Sequence, residues 1–156
     1  MGTEIERKFL VTDDSWRAAA DKGKQYLQGY LSVGPPAAIR VRLCGDTAIL
    51  NLKKATSDLT RIEFEYPIPV EDARVILHNM GVGHIIEKTR YRVPHDGLTW
   101  EIDVFGGVNA GLVIAEVELE SETQPFQKPA WAGNDVSADL RYRNVHLCEQ
   151  PYTEWA

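Results

Sequence analysis

Apolar and polar residues alternate with a period of two along most of the chain, as in strands whose successive side chains point to opposite faces. The alternation predicts strands at about residues 4–11, 25–32, 38–44, 47–54, 61–68, 85–94, 98–105 and 112–121. Gly45-Asp46 and Asp96-Gly97 fall between such runs as tight-turn signals, so those neighbours are expected to form antiparallel hairpins. Helical periodicity is sparser. Asp13-Asp14-Ser15 offers N-caps for a short helix through Ala18-Ala19-Ala20, and a second helix is expected from Glu71 to Met80, between Pro69 and Gly81. Its Ala73, Ile76, Leu77 and Met80 would form an apolar face. A third helix is predicted from Asp139 to about Gln150, stopped by Pro151. Eight strands with few helices give an α+β, predominantly β domain, either an open sheet on helices or a closed barrel.

The charged residues fall mostly on one face of each strand. Glu4, Glu6 and Lys8 share a face opposite Ile5 and Phe9, with Arg7 the exception. Arg40 and Arg42 alternate with Ile39, Val41 and Leu43, and Asn51 and Lys53 with Leu50 and Leu52, which leaves Lys54 on the outer side. Arg61, Glu63 and Glu65 oppose Ile62, Phe64 and Tyr66, and Lys88, Arg90 and Arg92 oppose Thr89, Tyr91 and Val93. Glu101 and Asp103 oppose Trp100, Ile102 and Val104, while Glu116, Glu118 and Glu120 alternate with Val117 and Leu119.

An amphipathic sheet with a solvated outer face explains any one of these strands. Together they are harder to explain that way, because the signs are sorted. Same-face neighbours lie about 6.6 Å apart, where like charges repel by roughly 2–3 kcal/mol at an effective dielectric of about 20. Arg40/Arg42 and Lys88/Arg90/Arg92 are purely basic, while Glu101/Asp103 and Glu116/Glu118/Glu120 are purely acidic. The expectation is a basic half that holds an anion and an acidic half that holds a cation. Clustered carboxylates without a Cys/His motif favour a hard ion such as Mg²⁺ or Mn²⁺, and converging Arg and Lys suit phosphate oxygens. No Gly-rich phosphate loop ending in Lys and Ser or Thr is present.

Composition narrows the partners. The 156 residues suit one domain, and a net charge of −6 argues against a duplex nucleic-acid binder. No apolar run is long enough to span a bilayer, and Met1-Gly2-Thr3-Glu4 does not open a secretory signal, so a cytoplasmic protein without membrane association is expected. Cys44 and Cys148 read as reduced thiols, Cys148 in packing rather than as a nucleophile, and the four histidines show no zinc-type pairing. Monomer and homodimer both remain open.

Glu4-Ile5-Glu6-Arg7-Lys8 at the chain start matches an ExExK signature. It is followed in order by Arg40-Val41-Arg42, Lys53, Arg61 to Glu65, Lys88-Thr89-Arg90, Glu101-Ile102-Asp103 and Glu116 to Glu120. In this the chain resembles the CYTH superfamily, the triphosphate tunnel metalloenzymes, and within it the short bacterial inorganic triphosphatases. The resemblance implies an eight-stranded antiparallel closed barrel with charges inside and covering helices outside, binding a triphosphate and one or two divalent metals. Carried over by position, Glu4, Glu6, Glu116 and Glu118 look like the metal carboxylates, and Lys8, Arg40, Arg42, Lys53, Lys88 and Arg90 like the phosphate-binding set. Lys8, Arg42, Glu63 and Glu65 are the catalytic candidates, the two glutamates helping to hold metal or place water. Tyr30, Arg61, Arg92, Glu101, Asp103 and Glu120 are further candidates for the tunnel. The C-terminal helix would lie near one tunnel end.

The expected reaction is hydrolysis of the terminal phosphate of a small-molecule triphosphate. Short loops leave little material for a base or thiazole pocket, which favours inorganic tripolyphosphate. A class IV adenylate cyclase, a thiamine triphosphatase and a non-catalytic triphosphate sensor are the alternatives. A carrier barrel of lipocalin type would need the charged face outside.

Overall fold

The computed structural model describes residues 2–155. Its strands are β1 Gly2–Val11, β2 Lys24–Ser32, β3 Ala38–Cys44, β4 Thr47–Ala55, β5 Thr60–Ile68, β6 Val82–His95, β7 Leu98–Phe105, β8 Val113–Glu118 and β9 Ala132–Asp135. They hydrogen-bond in the order β5-β4-β3-β2-β6-β7-β8-β1-β9, and a further β1–β5 pairing closes the first eight into an antiparallel barrel. β1 makes the closure by dividing its length, with Gly2 to Ile5 on β5 and Glu6 to Leu10 on β8. Closure leaves no strand edge among the eight, and β9 rides outside on the end of β1. At the β6–β7 hairpin Asp96 and Gly97 both have positive φ, 49° and 78°, the twist that a two-residue hairpin turn requires.

The outer wall is apolar and is covered in patches. Phe9, Val93, Trp100, Ile102 and Val117 lie under Trp16 and Trp131, with the Trp100 and Trp131 rings 5.5 Å apart, edge to face. Helix α1, Val70–Asn79, lays Ala73, Ile76 and Leu77 over Val41, Leu43 and Ala48. It approaches closely at Gly29, where a Cβ would stand 2.9 Å from Leu77 Cδ2. Met80, expected on the same face, caps the helix end and is exposed.

A third cluster lies where the inward parity of β6, β7 and β8 turns from charged to apolar. Ile86, Phe105 and Ile114 pack there with Tyr30, Leu112, Leu147 and Cys148, an apolar stopper along one side of that barrel end. Leu147 belongs to α2, Asn144–Leu147, which together with a 3₁₀ turn at Leu140–Tyr142 replaces the continuous helix expected from 139 to 150. Arg143 separates the two with extended backbone, φ −75° and ψ 138°. The helix expected near residue 18 is likewise a 3₁₀ turn, Ser15–Ala19. Sequence periodicity did not predict β9: its four residues, Ala-Gly-Asn-Asp, are poor strand formers and are held by pairing with β1. Among the described residues no helix is long and apolar enough to cross a membrane.

Candidate active site

The barrel encloses a cavity of about 610 Å³. Its walls carry every charged residue predicted for phosphate, metal or catalysis: Glu4, Glu6 and Lys8 from β1, Arg40 and Arg42 from β3, Lys53 from β4, Glu63 and Glu65 from β5, Lys88 and Arg90 from β6, and Glu116 and Glu118 from β8. Tyr30, Arg61, Arg92 and Glu101 line it too. Two further candidates do not. β8 ends at Glu118 and the chain turns away, so Glu120 is exposed with its backbone N–H donating to Gln124 Oε1. Asp103 points inward but is fully buried beneath Lys88 and Arg90, off the cavity surface. Arg7, the exception in the alternation, faces outward, pairs with Asp135 and stacks over the Phe9 and Phe126 rings. Lys54, assigned to the outer side, is exposed but reaches the cavity rim.

The expected separation into a basic and an acidic half is not what the barrel does. Strand order puts the basic β6 beside the acidic β7, and β1 beside β8, so opposite charges face each other at Arg90–Asp103, Arg92–Glu101 and Lys8–Glu116, while Glu6 faces Glu118. Asp103 receives Arg90 Nε at 2.7 Å, Arg90 Nη2 at 2.8 Å and Lys88 Nζ at 2.8 Å. Glu116 lies 3.3 Å from Arg90 and 3.8 Å from Lys8, and Lys53 reaches Glu4 at 2.7 Å and Glu63 at 3.3 Å. Glu6 is 3.8 Å from Arg61 and 4.0 Å from Lys8.

Two sets of charges stand out as lacking such compensation. Among the described residues Arg40 and Arg42 make no carboxylate ion pair: β3 lies between β2, which offers Gln28 and Tyr30, and β4, which offers Asn51. Arg40 Nε is buried without a hydrogen-bond partner. The Arg42 guanidinium sits 4.9 Å from the Tyr26 ring centroid, and burial with the nearby Arg40 and Arg90 lowers its pKa. Glu118 is the acidic counterpart. Burial raises its carboxyl pKa, and the carboxylates of Glu4, Glu101, Glu6 and Glu63 raise it further. An anion beside the two arginines and a cation beside Glu118 would each relieve a repulsion that the ligand-free wall retains. As the side chains stand, no three His, Cys, Asp or Glu among the described residues converge tightly enough to hold an ion, because Glu4, Glu6 and Glu116 are turned to neighbouring cations.

Burial and charge also set the basicity of the cavity. Burial, helped by the like charge of Arg90, pushes the Lys88 ammonium down to about 8 against the pull of Asp103. Burial alone would raise the Asp103 carboxyl, but Arg90 and Lys88 overcome it and hold the group well below the usual range. Cys148 is pushed up to about 11 by burial and Glu149, which suits a packing thiol rather than a nucleophile.

Sequence reasoning put Asn51 on the inward face beside Lys53 but missed Tyr26, Arg143 and Asn144. Tyr26 and Asn51 face the cavity, Asn51 Nδ2 donating to Glu63 Oε2 at 3.0 Å, and Arg143 and Asn144 enter from the C-terminal segment. The signal for Tyr26 and Gln28 was their shared parity with Tyr30 on β2.

A family model of the CYTH domain matches residues 2–152. The chain belongs to the CYTH family. Among curated relatives, an inorganic triphosphatase of Acetivibrio thermocellus is 44% identical over 152 residues, 97% of each chain. One of Nitrosomonas europaea is 38% identical over 153 residues, covering 93% of this chain and 96% of that one. The crystal structure of an inorganic triphosphatase superposes with a TM-score of 0.67 at 35% identity, covering 95% of both chains. This CYTH barrel therefore resembles those relatives over nearly its whole length.

Proposed function

We propose that this CYTH protein hydrolyses the terminal phosphoanhydride of a triphosphate, with inorganic tripolyphosphate as its substrate and Mg²⁺ or Mn²⁺ as its metal. The observation that carries the reading is the pair of uncompensated β3 arginines in a cavity that also holds the mutually repelling carboxylates around Glu118. Arg40 and Arg42 would take phosphate oxygens first, as bidentate donors. Lys8, Lys53, Lys88 and Arg90 would then exchange part of their carboxylate pairing for phosphate and oppose the charge gathering on the transferred group. Glu4, Glu6, Glu116 and Glu118 would hold the metal, which when bound supplies charge neutralisation at phosphate oxygens. Glu63, held by Asn51 and Lys53, and Glu65 would orient the attacking water.

The cavity favours an inorganic substrate. Trp100 and Trp131 are buried on the outer side of the barrel wall, and the aromatic rings that do line the cavity, Tyr26 and Tyr30, stand among arginines. A base or thiazole would find no free aromatic face among the described residues that line the cavity. The test is phosphate release from tripolyphosphate, ATP and thiamine triphosphate with Mg²⁺ or Mn²⁺, with cyclic AMP assayed in the ATP reactions. Tripolyphosphate should be turned over best and EDTA should abolish it. Undiminished turnover in excess EDTA would rule out the metal role, and a preference for ATP with cyclic AMP formed would point to the cyclase.

A further inference from the structure

The C-terminal segment brings an uncharged side chain into a row of cations. Asn144, 8% exposed, begins α2 beside Arg143, whose extended backbone turns the chain at the cavity wall. The placement is fixed from behind. Leu147 and Cys148 are fully buried in the stopper, and the Cys148 carbonyl accepts the His84 backbone N–H at 2.7 Å. Gly83 has φ +68°, and a Cβ there would stand 2.4 Å from that same carbonyl oxygen.

Asn144 Oδ1 accepts two hydrogen bonds, from Gln28 Nε2 at 2.8 Å and from Lys88 Nζ at 3.2 Å. Gln28 is fully buried and Lys88 nearly so. Two donors on one oxygen settle which end of the amide is which: Oδ1 must face Gln28 and Lys88, so Nδ2 presents its hydrogens on the other side. Nδ2 has no hydrogen-bond partner among the described residues, and Asn144 lines the cavity. An amide whose acceptor is saturated by protein and whose donor is left over beside a lysine is built to receive an oxyanion.

We propose that Asn144 is a substrate-binding residue: its Nδ2 donates to a phosphate oxygen, while its Oδ1, braced by Gln28, positions the Lys88 ammonium for the same phosphate. This rests on the triphosphate reading of the cavity. It adds a neutral donor, supplied by the C-terminal segment, to the charged set carried by the barrel strands.

Asparagine and aspartate separate this role from a structural one. Asn144→Asp keeps an oxygen for Gln28 and Lys88 but replaces the donor by an anion facing phosphate, whereas Asn144→Ala removes both functions. Leu147→Ala loosens the same segment without touching the cavity. In the full chain with tripolyphosphate, Asn144→Ala should raise KM about tenfold and Asn144→Asp at least as much, with kcat changed less than KM, while Leu147→Ala lowers the melting temperature and leaves KM unaltered. Calorimetric titration with tripolyphosphate in EDTA reads affinity without turnover and should show the same order. Parental KM and affinity in Asn144→Asp would overturn the proposal, since the acceptor alone would then suffice. Equal losses in Asn144→Asp and Leu147→Ala would also overturn it, reducing Asn144 to a fastener. If Asn144→Ala does not fold, the Asn144→Asp result decides. A parent chain that binds tripolyphosphate but releases no phosphate would defeat the hydrolase reading and leave Asn144 to be judged on affinity.

Discussion

The arginines of β3 are set apart by what they lack. Lys8, Lys53, Lys88 and Arg90 share their charge with a carboxylate in the ligand-free barrel, so removing one also frees an acid, whereas Arg42 has no such partner among the described residues. Arg42→Ala should therefore lower kcat/KM by about 10²-fold, on the scale of the 2–3 kcal/mol lost with a charge-assisted hydrogen-bond pair. Arg7→Ala, which removes an exposed outer pair worth at most about 1 kcal/mol, should leave kcat/KM within about twofold. Similar losses in steady-state assays of the two variants would show that facing inward or outward does not decide function. Lys88 gives the cavity a pH response. Its ammonium is charged below about 8 and loses its proton as pH rises through that value, and only the charged form attracts phosphate. Tripolyphosphate affinity should thus weaken above pH 8, with proton uptake on binding there. Titration calorimetry in buffers of different ionisation enthalpy checks this, and a Lys88→Met variant should lose that uptake.

The elements differ in how much of them the chain's own pattern carries. Gly83 seats α2 on β6, and Gly83→Ala would put a methyl group on the Cys148 carbonyl at a backbone angle that alanine disfavours. A loss of about 1–3 kcal/mol is expected, read as a lowered urea midpoint. The strands were legible because inward charge and outward aliphatic residues alternate cleanly, as in Arg40-Val41-Arg42 and Glu116-Val117-Glu118. The same alternation brought almost every charged site candidate to one cavity. It overreached at Glu120, where β8 has already ended, and at Asp103, where inward parity leads to a buried partner instead of the cavity surface. β9 and the broken C-terminal helix were not legible, because tertiary contacts create them: pairing with β1 in one case, and in the other the extended Arg143, which no Pro or Gly announces. Gln28 and Asn144 carry no charge, so sorting by sign passed over them.

For the molecule as a whole, an interior lined with charge means that much of its electrostatic balance depends on what occupies the barrel. Tripolyphosphate should raise the melting temperature even in EDTA, with stabilisation of about 2.7 kcal/mol at a hundred times Kd. The gain should shrink at high salt, where ions screen the attraction, and differential scanning fluorimetry across a salt series would measure it. No shift at any salt would mean that the cations remain paired with their own carboxylates. The stopper of Ile86, Phe105, Ile114 and Leu147 bears on traffic. A phosphate chain reaching that side of the barrel end would shed its water against apolar side chains and gain no counter-charge, so the wall itself sets how much of a longer polyphosphate is welcome.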